Sequence, residues 1–425
     1  MNTFSDFPYP YIVDTMDRHY GEDPLPQEKN RKKSGEKLSI LIATFWDYPH
    51  TGGLSNYITT MSNGLKALGH QVDIISPNQF PTEEVKQLRK QIVPELKKFF
   101  LERYGSYSKK ILLSSRLLYI YEQMMKQVDL TKYDILHAQD IFTANVLGRL
   151  NTNYNKPLFF TPHGMFTLNR LRFNLIEKGS VEEAYYRRIE EKAIQFSSHT
   201  IILSESFCGP LQEFGAQPHS MSTVYTGIDY RKPSKNNDIK KSKKLVISCV
   251  ARLNPRKGHS LLLDALVLLK DKSRNIELWI IGDGEMKESL EKQAESLKLS
   301  NVKFFGKRND IPEILERTDI FVLPTMNDSL PVAIIEAMHS KTAIITTNCG
   351  GIPEIIQHGK TGLIVEPGNI DELAKALRQL INNGILRNRL AKKAYDFAEK
   401  HLTSKAMVSK IEALYEKFLH RKEET

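Results

Sequence analysis

The feature that most constrains this chain is an alternation of short β-rich runs with helical stretches, which occurs twice. Predicted strands of the first region are Leu38–Thr44, Gln71–Ser76, Asp134–His137, Pro157–Thr161, His199–Leu203 and Ser220–Tyr225. Those of the second are Leu245–Val250, Ile276–Ile281, Val302–Phe305, Asp319–Pro324, Ala343–Thr347 and Gly362–Val365. Such alternation predicts parallel sheets covered by helices on both faces. We therefore expect an α/β protein with two doubly wound, Rossmann-like domains facing each other across a cleft, where ligands bind at the carboxyl ends of the strands.

Composition separates these two regions. Residues 231–244 contain seven Lys/Arg, one Asp and almost no apolar residue, which is typical of a linker. The predicted organisation is an extension at 1–37, a first domain at 38–230 with inserted helices at 81–129, the basic linker at 231–244, a second domain at 245–400, and a final helix at 401–425 that packs back on the first domain.

The composition predicts a soluble globular protein in a reducing compartment. Of 425 residues, 40% are hydrophobic and 26% charged, and no apolar run reaches the roughly 18 residues of a membrane-spanning helix. The three cysteines are widely spaced and include no CxxC pair, which argues against a disulfide framework or a zinc ribbon. The N-terminus lacks the basic start and apolar core of a signal peptide. We therefore expect a cytoplasmic location.

The formal net charge of +10 leaves three kinds of partner open: nucleic acid, an anionic membrane or an anionic small substrate. Most of the excess lies in the linker, the N-terminal extension and the inserted helices. We interpret it as a peripheral basic surface suited to an anionic membrane, at whose inner face the protein could associate, and we expect no nucleic-acid partner.

Several common motifs are absent. Gly282 and Gly284 begin a dinucleotide fingerprint, but its third glycine would fall at Lys287. The string that ends in Gly359-Lys360-Thr361 lacks the first glycine of a P-loop, because position 354 is glutamate. HExxH, GxSxG and Asp-x-Asp do not occur either. The sequence therefore predicts no dinucleotide cofactor, no P-loop and no metal site.

Two cations follow the first strand of the second region. Arg252 and Lys257 lie in the string VARLNPRKG, and Gly258 opens the next helix. Fixed cations beside a helix N-terminus suit a diphosphate, because charge-assisted hydrogen bonds add to the free amides of the helix.

Two acids lie in the segment PTMNDSLPVAIIEAM. Asp328 is in the loop after a buried strand, and Glu336 is eight positions further on, inside a helix. The amides of Ser329 and Leu330 lie between them as free donors. Carboxylates accept hydrogen bonds from vicinal hydroxyls, so these acids could hold a ribose and a hexose.

Glycines also punctuate the strand-to-helix turns. Gly52 and Gly53 lie between the first strand and its helix, and Gly350-Gly351 follows strand Ala343–Thr347. Glycine allows the backbone to approach a phosphate or a sugar closely. His137, in the string DILHAQD, is predicted to be structural.

Taken together, these motifs resemble the family 4 retaining glycosyltransferases, which have the two-Rossmann GT-B fold. The resemblance spans roughly Leu38–His420 and rests on GGLSNYI, TPHGMF, VYTGID, VARLNPRKG, IIGDGE, FFG, DSLPVAIIEAM, NCGGIPEII and GKTGLIVEPGN. The motifs of the second region are the more specific.

The resemblance implies roles for the second-region residues. Arg252 and Lys257 would bind the donor diphosphate and neutralise the leaving group, and Glu336 would hold the nucleotide ribose. Asp328, with Ser329 and Leu330, would contact the sugar hydroxyls. The family has glutamate at the first of these acids, so Asp328 is a departure with a shorter reach.

Further roles follow from the same resemblance. His163 would lie over the donor sugar, Gly53 would approach the phosphate or the acceptor, and Gly52 and Gly282 would contribute to the nucleotide-sugar site. The donor would be a substrate, and no cofactor is implied.

The expected activity is a metal-independent, retaining transfer of a hexose from a nucleotide-diphosphate sugar, with uridine as the favoured base. The acceptor is unknown and could be a cell-surface or envelope glycan, a lipid or a protein. Two alternatives remain: a non-hydrolysing nucleotide-sugar epimerase, and a basic membrane- or nucleic-acid-binding protein with a vestigial sugar site.

Overall fold

The computed structural model describes residues 35–50, 52–231, 233, 244–269 and 275–420. The chain divides into two compact units. The first unit holds the chain up to Leu203, the segment Phe207–Val224 and the chain from Val408 onward, and the second holds Ser204–Ser206 and Tyr225–Met407. The predicted extension at 1–37 and linker at 231–244 lie almost entirely outside the described residues.

The first unit is built on a six-stranded parallel sheet with the order β2-β1-β3-β4-β5-β6. Its strands are β1 (Ser39–Ala43), β2 (Gln71–Ile75), β3 (Ile135–Ala138), β4 (Leu158–Phe160), β5 (His199–Ile202) and β6 (Met221–Thr223). Its helices are α1 (Gly53–Ala67), α2 (Thr82–Tyr104), α3 (Lys109–Met125), α4 (Ile141–Leu150), α5 (Phe166–Arg172), α6 (Val181–Phe196) and α7 (Cys208–Glu213). β3, β4 and β5 are buried along their whole length, as expected of strands covered on both faces.

The segment 81–129 contains α2 and α3, which pack on each other through Ile92, Ile120 and Met124. A buried ion pair between Glu122 and Arg149 joins α3 to α4. Removing one partner of such a pair would leave an uncompensated buried charge, so this contact fixes the position of α3 against the sheet layer.

The second unit has a six-stranded parallel sheet with the order β12-β11-β10-β7-β8-β9. Its strands are β7 (Leu245–Val250), β8 (Ile276–Ile281), β9 (Val302–Gly306), β10 (Ile320–Leu323), β11 (Ala343–Thr347) and β12 (Leu363–Val365). Its helices are α8 (His259–Val267), α9 (Lys287–Ser296), α10 (Ile311–Glu316), α11 (Val332–His339), α12 (Ile352–Ile355), α13 (Ile370–Asn382) and α14 (Gly384–His401). This strand order is that of a dinucleotide-binding Rossmann domain.

The last helix, α15 (Ser404–His420), joins the first unit from Val408 onward. Tyr415 is fully buried there, and its hydroxyl lies 2.6 Å from Nδ1 of His137. Nε2 of His137 lies 2.7 Å from Oγ1 of Thr161, and burial lowers the pKa of the imidazole to about 3. His137 is therefore a neutral structural residue that ties α15 to β3. None of the described helices combines the length and the apolar content that crossing a bilayer requires.

Candidate functional site

The loops after β7 and β10 meet at the middle of the second sheet. β7 and β10 are neighbours, and the strand order runs outward from them in opposite directions. The loops that follow two such strands leave toward opposite faces of the sheet and open a crevice at their carboxyl ends, where ligands of doubly wound proteins bind. Lys257 follows β7 and Asp328 follows β10, so both belong to this crevice.

Lys257 and Asp328 form an ion pair in the second unit, from Nζ to Oδ2, with both side chains largely buried. Oγ1 of Thr325 lies 3.1 Å from the same carboxylate oxygen. A lysine has three donor hydrogens, so one can bind Asp328 while two remain for a ligand. The pair thus holds a cation in place, which removes much of the ordering cost of binding an anion.

Two glycines let these loops approach each other. A Cβ added to Gly258, whose φ is +74°, would lie 2.0 Å from the carbonyl oxygen of Pro324 at the end of β10. A Cβ on Gly350, with φ +52°, would lie 1.7 Å from the carbonyl oxygen of Asp328. Any side chain at either position would push backbone apart, so the glycines set the spacing between Lys257 and Asp328.

Arg252 lies in the same β7 loop but is exposed, and its side chain has no hydrogen-bond or ion-pair partner within the described part of the chain. Next to it, the carbonyl oxygen of Ala251 would lie 1.9 Å from a Cβ on Gly282, the residue that follows β8. The glycine at 282 is therefore required by packing between two loops of the protein itself. Its effect is to hold the backbone beside Arg252.

The loop between Asp328 and α11 offers free donors. The carbonyl oxygen of Ser329 accepts from the amide of Gly351 at 2.6 Å, whereas the amides of Ser329 and Leu330 have no acceptor among the described residues. α11 begins after Pro331 without a side-chain cap and without an acid in its first turn. Uncapped amides and the positive end of the helix dipole favour an anion or a hydroxyl oxygen here.

Glu336 is the acid inside α11. Its side chain is only partly exposed, and its carboxylate has no hydrogen-bond donor within the described structure. Burial raises the pKa of this carboxyl to about 7. A partly buried carboxylate without donors loses part of its hydration, so hydroxyls that donate to it would be favoured partners.

The first-unit residues lie at the carboxyl ends of β1 and β4. Gly52 precedes α1, whose first turn has neither a side-chain cap nor an acid, and a Cβ on Gly53 would meet only open space. His163 follows β4, and its ring packs edge-on against Tyr57 of α1 at a centroid distance of 4.8 Å. Gly53 therefore opens the helix that carries Tyr57 against the ring of His163.

The imidazole of His163 is held by a residue that sequence reasoning did not identify. Nε2 of His163 lies 3.0 Å from Oε1 of Gln139, which follows β3 and is fully buried. His163 is partly exposed to solvent, yet its burial in the surrounding protein lowers the pKa of the imidazole to about 3. His163 is therefore neutral near pH 7. Gln139 stands directly before Asp140 in the string DILHAQD, which was the signal available in the sequence.

The structure thus assembles the predicted residues as two groups. The second unit brings together Lys257, Asp328 and the amides of Ser329 and Leu330, with Arg252, Gly282 and Glu336 on the adjoining loops and helix. The first unit carries Gly52 and Gly53 at the start of α1 and His163 after β4, where its ring contacts Tyr57 of α1. No set of three His, Cys, Asp or Glu side chains within the described residues is placed to hold a metal ion.

The segment NCGGIPEII has a role that the sequence did not predict. Both carboxylate oxygens of Glu354 accept hydrogen bonds: Oε1 from the Ser204 hydroxyl at 2.6 Å, and Oε2 from the Glu205 amide at 2.9 Å. Gly351 would place a Cβ 2.4 Å from Oγ of Ser204. This glycine pair therefore makes room for the protein's own loops.

Comparison with known proteins gives two family matches. The model of Glycosyltransferase Family 4 matches residues 51–232, and that of Glycosyl transferases group 1 matches residues 231–397. The expected fold class, α/β with two Rossmann-like domains of the GT-B type, is confirmed. These matches do not favour the epimerase alternative.

Individual relatives have low sequence identity to this chain but match most of its length. An uncharacterized glycosyltransferase of Methanocaldococcus jannaschii is 25% identical over 386 residues, which is 89% of this chain and 98% of the relative. The UDP-Gal:alpha-D-GlcNAc-diphosphoundecaprenol alpha-1,3-galactosyltransferase of Escherichia coli is 27% identical over 315 residues, 70% of this chain and 78% of the relative. The crystal structure of HepE of Anabaena in complex with UDP has a TM-score of 0.65 at 18% identity and covers 89% of this chain and 99% of that chain.

Proposed function

Because this chain belongs to glycosyltransferase family 4, we propose that it transfers a hexose from a uridine-diphosphate sugar to an acceptor with retention of anomeric configuration. The observation that carries the proposal is the group at the crevice of the second sheet: a fixed lysine, an arginine without an ion-pair partner in the described structure, two free amides and a partly buried carboxylate without a hydrogen-bond donor. These are the complements of a diphosphate, a hexose and a ribose.

The donor diphosphate binds Arg252 and Lys257 in this proposal. Each charge-assisted hydrogen bond contributes about 1.5 to 3 kcal/mol. Arg252 has no partner to release among the described residues, and Lys257 can bind phosphate with the hydrogens that Asp328 does not use. Uridine is the proposed base because the E. coli relative is named for UDP-Gal and the structure of HepE contains UDP.

The two acids take the hydroxyl groups. Glu336 accepts from the ribose, which relieves the cost of its unpartnered carboxylate. Asp328, oriented by Lys257, accepts from the hexose hydroxyls, and the amides of Ser329 and Leu330 donate to them. His163 is proposed to serve the donor sugar as a neutral hydrogen-bonding group, and Gly53 is proposed to approach the phosphate or the acceptor.

In the proposed transfer no side chain forms a covalent bond to the sugar. The bond between the anomeric carbon and the leaving diphosphate oxygen breaks as a bond from that carbon to the acceptor hydroxyl oxygen forms on the same face. The acceptor proton passes to the departing phosphate oxygen. Arg252 and Lys257 stabilise the negative charge that develops on the diphosphate, with no step that calls for a metal ion.

Donor binding and transfer test the proposal. The purified protein is screened by thermal stabilisation with a panel of nucleotide sugars, since a ligand of the folded state raises Tm, and hits are assayed for donor hydrolysis in EDTA. We expect UDP-sugars to stabilise it, and the double variant Arg252→Ala, Lys257→Ala to lose about 100-fold or more in rate. Lys292→Ala, which removes an exposed charge on α9, should behave as the wild type.

Two results would overturn the proposal. One is wild-type activity in the double variant, which would remove the site assignment. The other is an epimer formed without any acceptor, which would replace transfer by epimerisation. Retention is checked separately by assigning the anomeric configuration of the product by NMR.

We also propose a peripheral association with anionic membrane through the α2–α3 pair. No acidic partner among the described residues faces three cations of α2: Arg89, Lys90 and Lys97. Burial, and then the nearby charge of Arg89, lower the pKa of Arg116 on α3. Leu101, Leu113 and Leu117 are exposed on the same two helices. A helix pair that carries both unpaired cations and exposed leucines suits an anionic lipid surface.

A further inference from the structure

A cavity of about 310 Å³ lies within the first unit at the carboxyl ends of β1, β3 and β4. It is bordered by His163 and by Leu54, which follows Gly53 at the start of α1. β1 and β3 are neighbours in a sheet whose order reverses beside them, so this cavity occupies the ligand position of a doubly wound unit. None of the donor-binding residues of the second unit borders it.

The mouth of the cavity is apolar. Trp46, Phe173 and Leu175 line it, and their exposed fractions are 43%, 39% and 50%, which places all three among the exposed large hydrophobic residues of the described structure. Single exposed hydrophobic residues need no explanation, but three around one cavity form a patch of the kind that binds a ligand. Phe142 and Phe166 extend the apolar wall inward.

One cation borders this apolar wall. The guanidinium carbon of Arg170 lies 4.2 Å from the ring centroid of Phe166 and 5.2 Å from that of Tyr186. Its Nε is buried without a hydrogen-bond partner, and no carboxylate pairs with Arg170 among the described residues. The nearby carboxylate of Asp140 already accepts from the amides of Phe45 and Thr143, at 2.7 and 2.8 Å. Arg170 therefore carries a positive charge that no carboxylate of the described residues neutralises, and it could bind an anionic ligand.

A second donor is free at the inner end. Gln139 is fully buried, and while its Oε1 is engaged by His163, its Nε2 has no partner in the described structure. Leaving such a group unsatisfied costs about 1 to 3 kcal/mol. A ligand oxygen that accepts from this amide would remove that cost. The cavity therefore combines an apolar mouth with hydrogen-bond donors suited to the oxygen atoms of a ligand.

The element that carries Arg170 is firmly held. Both carboxylate oxygens of Glu190, on α6, accept hydrogen bonds from the first amides of α5: from Phe166 at 2.8 Å and from Thr167 at 3.1 Å. This side-chain cap fixes the N-terminus of α5 and with it the position of the guanidinium. The cation is therefore preorganised.

We propose that this cavity is the acceptor site and that the acceptor is an amphiphilic anion, a sugar or alcohol joined through phosphate to an apolar lipid chain. Its phosphate binds Arg170, its chain lies on Trp46, Phe173 and Leu175, and its reacting hydroxyl group lies on the side of Gln139 and His163. The assignment rests on the proposed transferase function and names the substrate class that the function leaves open. A soluble phosphorylated sugar would use the cation but not the apolar mouth.

The two tryptophans of the chain make a direct test possible. Trp46 is exposed at the mouth, whereas Trp279 is buried in the core of the second unit. Farnesyl phosphate, below its aggregation concentration, is titrated into the full-length protein while tryptophan emission is followed. We expect a saturable blue shift in the wild type and in Trp279→Phe, and none in Trp46→Phe.

Matched ligands and variants separate the two halves of the proposal. Farnesol, which lacks the phosphate, and glucose 6-phosphate, which lacks the chain, should each bind about tenfold or more weakly than farnesyl phosphate. Arg170→Gln should weaken farnesyl phosphate by a similar factor. Arg172→Gln, an exposed arginine on the same helix, should leave its affinity unchanged.

Three outcomes overturn the assignment: no saturable shift, equal binding of glucose 6-phosphate, or equal affinity in Arg170→Gln and the wild type. Stabilisation by the UDP-sugar donor is measured on the same samples. If the donor stabilises the protein and farnesyl phosphate does not bind, the acceptor class is wrong while the transferase function stands. If the donor also fails, the proposed function fails with it.

Discussion

Glu336, in its proposed role at the ribose, would link pH to ligand binding. Burial raises the pKa of its carboxyl to about 7 from an ordinary value of 4.5. The group is therefore largely neutral below pH 6 and ionised above pH 8 in the free protein. A ribose donates its hydroxyls best to the ionised form, so donor binding should be coupled to loss of a proton.

We predict that the affinity for a UDP-hexose rises by roughly tenfold or more from pH 5.5 to pH 8.5, since the ionised fraction of a group with a pKa near 7 grows over that range. Isothermal titration calorimetry in two buffers of different ionisation enthalpy would measure both affinity and proton release. Glu336→Gln should show neither effect, and Glu291→Gln, an exposed acid on α9, should show both. Pronounced pH dependence in Glu336→Gln would contradict the prediction.

The same pKa shift sets the sign of a stability effect. A carboxyl whose pKa is higher in the folded state stabilises the fold fully below about pH 4.5, and this contribution is lost as pH rises through 7. At pH 8, Glu336→Gln should therefore be more stable than the wild type by up to about 3 kcal/mol. Denaturant unfolding at pH 4.5 and pH 8 would test this, because the difference should be small at the lower pH.

Helix packing in the first unit depends on a glycine in the last turn of α1. A Cβ added to Gly64 would lie 2.4 Å from Cγ2 of Val408, in α15. The close approach lets α15 lie against α1 and brings Tyr415 to His137. Glycine is unfavourable in a helix interior by about 1 kcal/mol relative to alanine, so its presence here is explained by contact and not by helix propensity.

We predict that Gly64→Ala destabilises the protein by about 1 to 3 kcal/mol through overpacking, despite the gain in propensity. Val408→Ala in the same chain should restore most of the loss, because it removes the methyl groups that collide. A double-mutant cycle from denaturant unfolding would measure the coupling. Independent, additive effects of the two substitutions would show that α1 and α15 do not pack as described.

At the scale of the whole molecule, the net charge of +10 is a surface property. The proposed reaction would use two of the cations, Arg252 and Lys257, and the α2–α3 pair adds a group without acidic partners in the described structure. Each lysine or arginine near an anionic bilayer contributes about 1 kcal/mol, and this contribution weakens with salt.

We predict that the protein co-sediments with vesicles of equal parts phosphatidylcholine and phosphatidylglycerol at low salt, and much less with pure phosphatidylcholine. Leu113→Gln with Leu117→Gln should reduce binding several-fold, as should Arg89→Gln with Lys90→Gln. Ile385→Gln removes a strongly exposed hydrophobic residue of the second unit and should have no effect. Equal loss in the Ile385 variant would point to unspecific adsorption.

The two-unit α/β architecture could be predicted from the sequence because its signals are local. Strand β10, for example, is a run of four buried apolar residues, Ile320–Leu323, bounded by Asp319 and Pro324. Strand ends also locate candidate residues, since loops at the carboxyl edge of a parallel sheet carry the chemistry. Arg252, Lys257 and Asp328 were named as candidates in this way, and Glu336 was named from its place in the helix that follows Asp328.

Only the tertiary structure decided which of those residues pair and how deeply each is buried. Lys257 and Asp328 are 71 positions apart, and their pairing depends on β7 lying beside β10, which no local pattern specifies. The pKa of Glu336 depends on the neighbours that exclude water from it. The apolar cavity draws Trp46, Gln139 and Arg170 from three separate loops and helices. The sequence by itself determined the elements and the chemical groups at their ends, because both follow from nearest neighbours along the chain. Contact, burial and charge pairing depend on neighbours in space. The order of the strands and the packing of helices and loops bring those neighbours together.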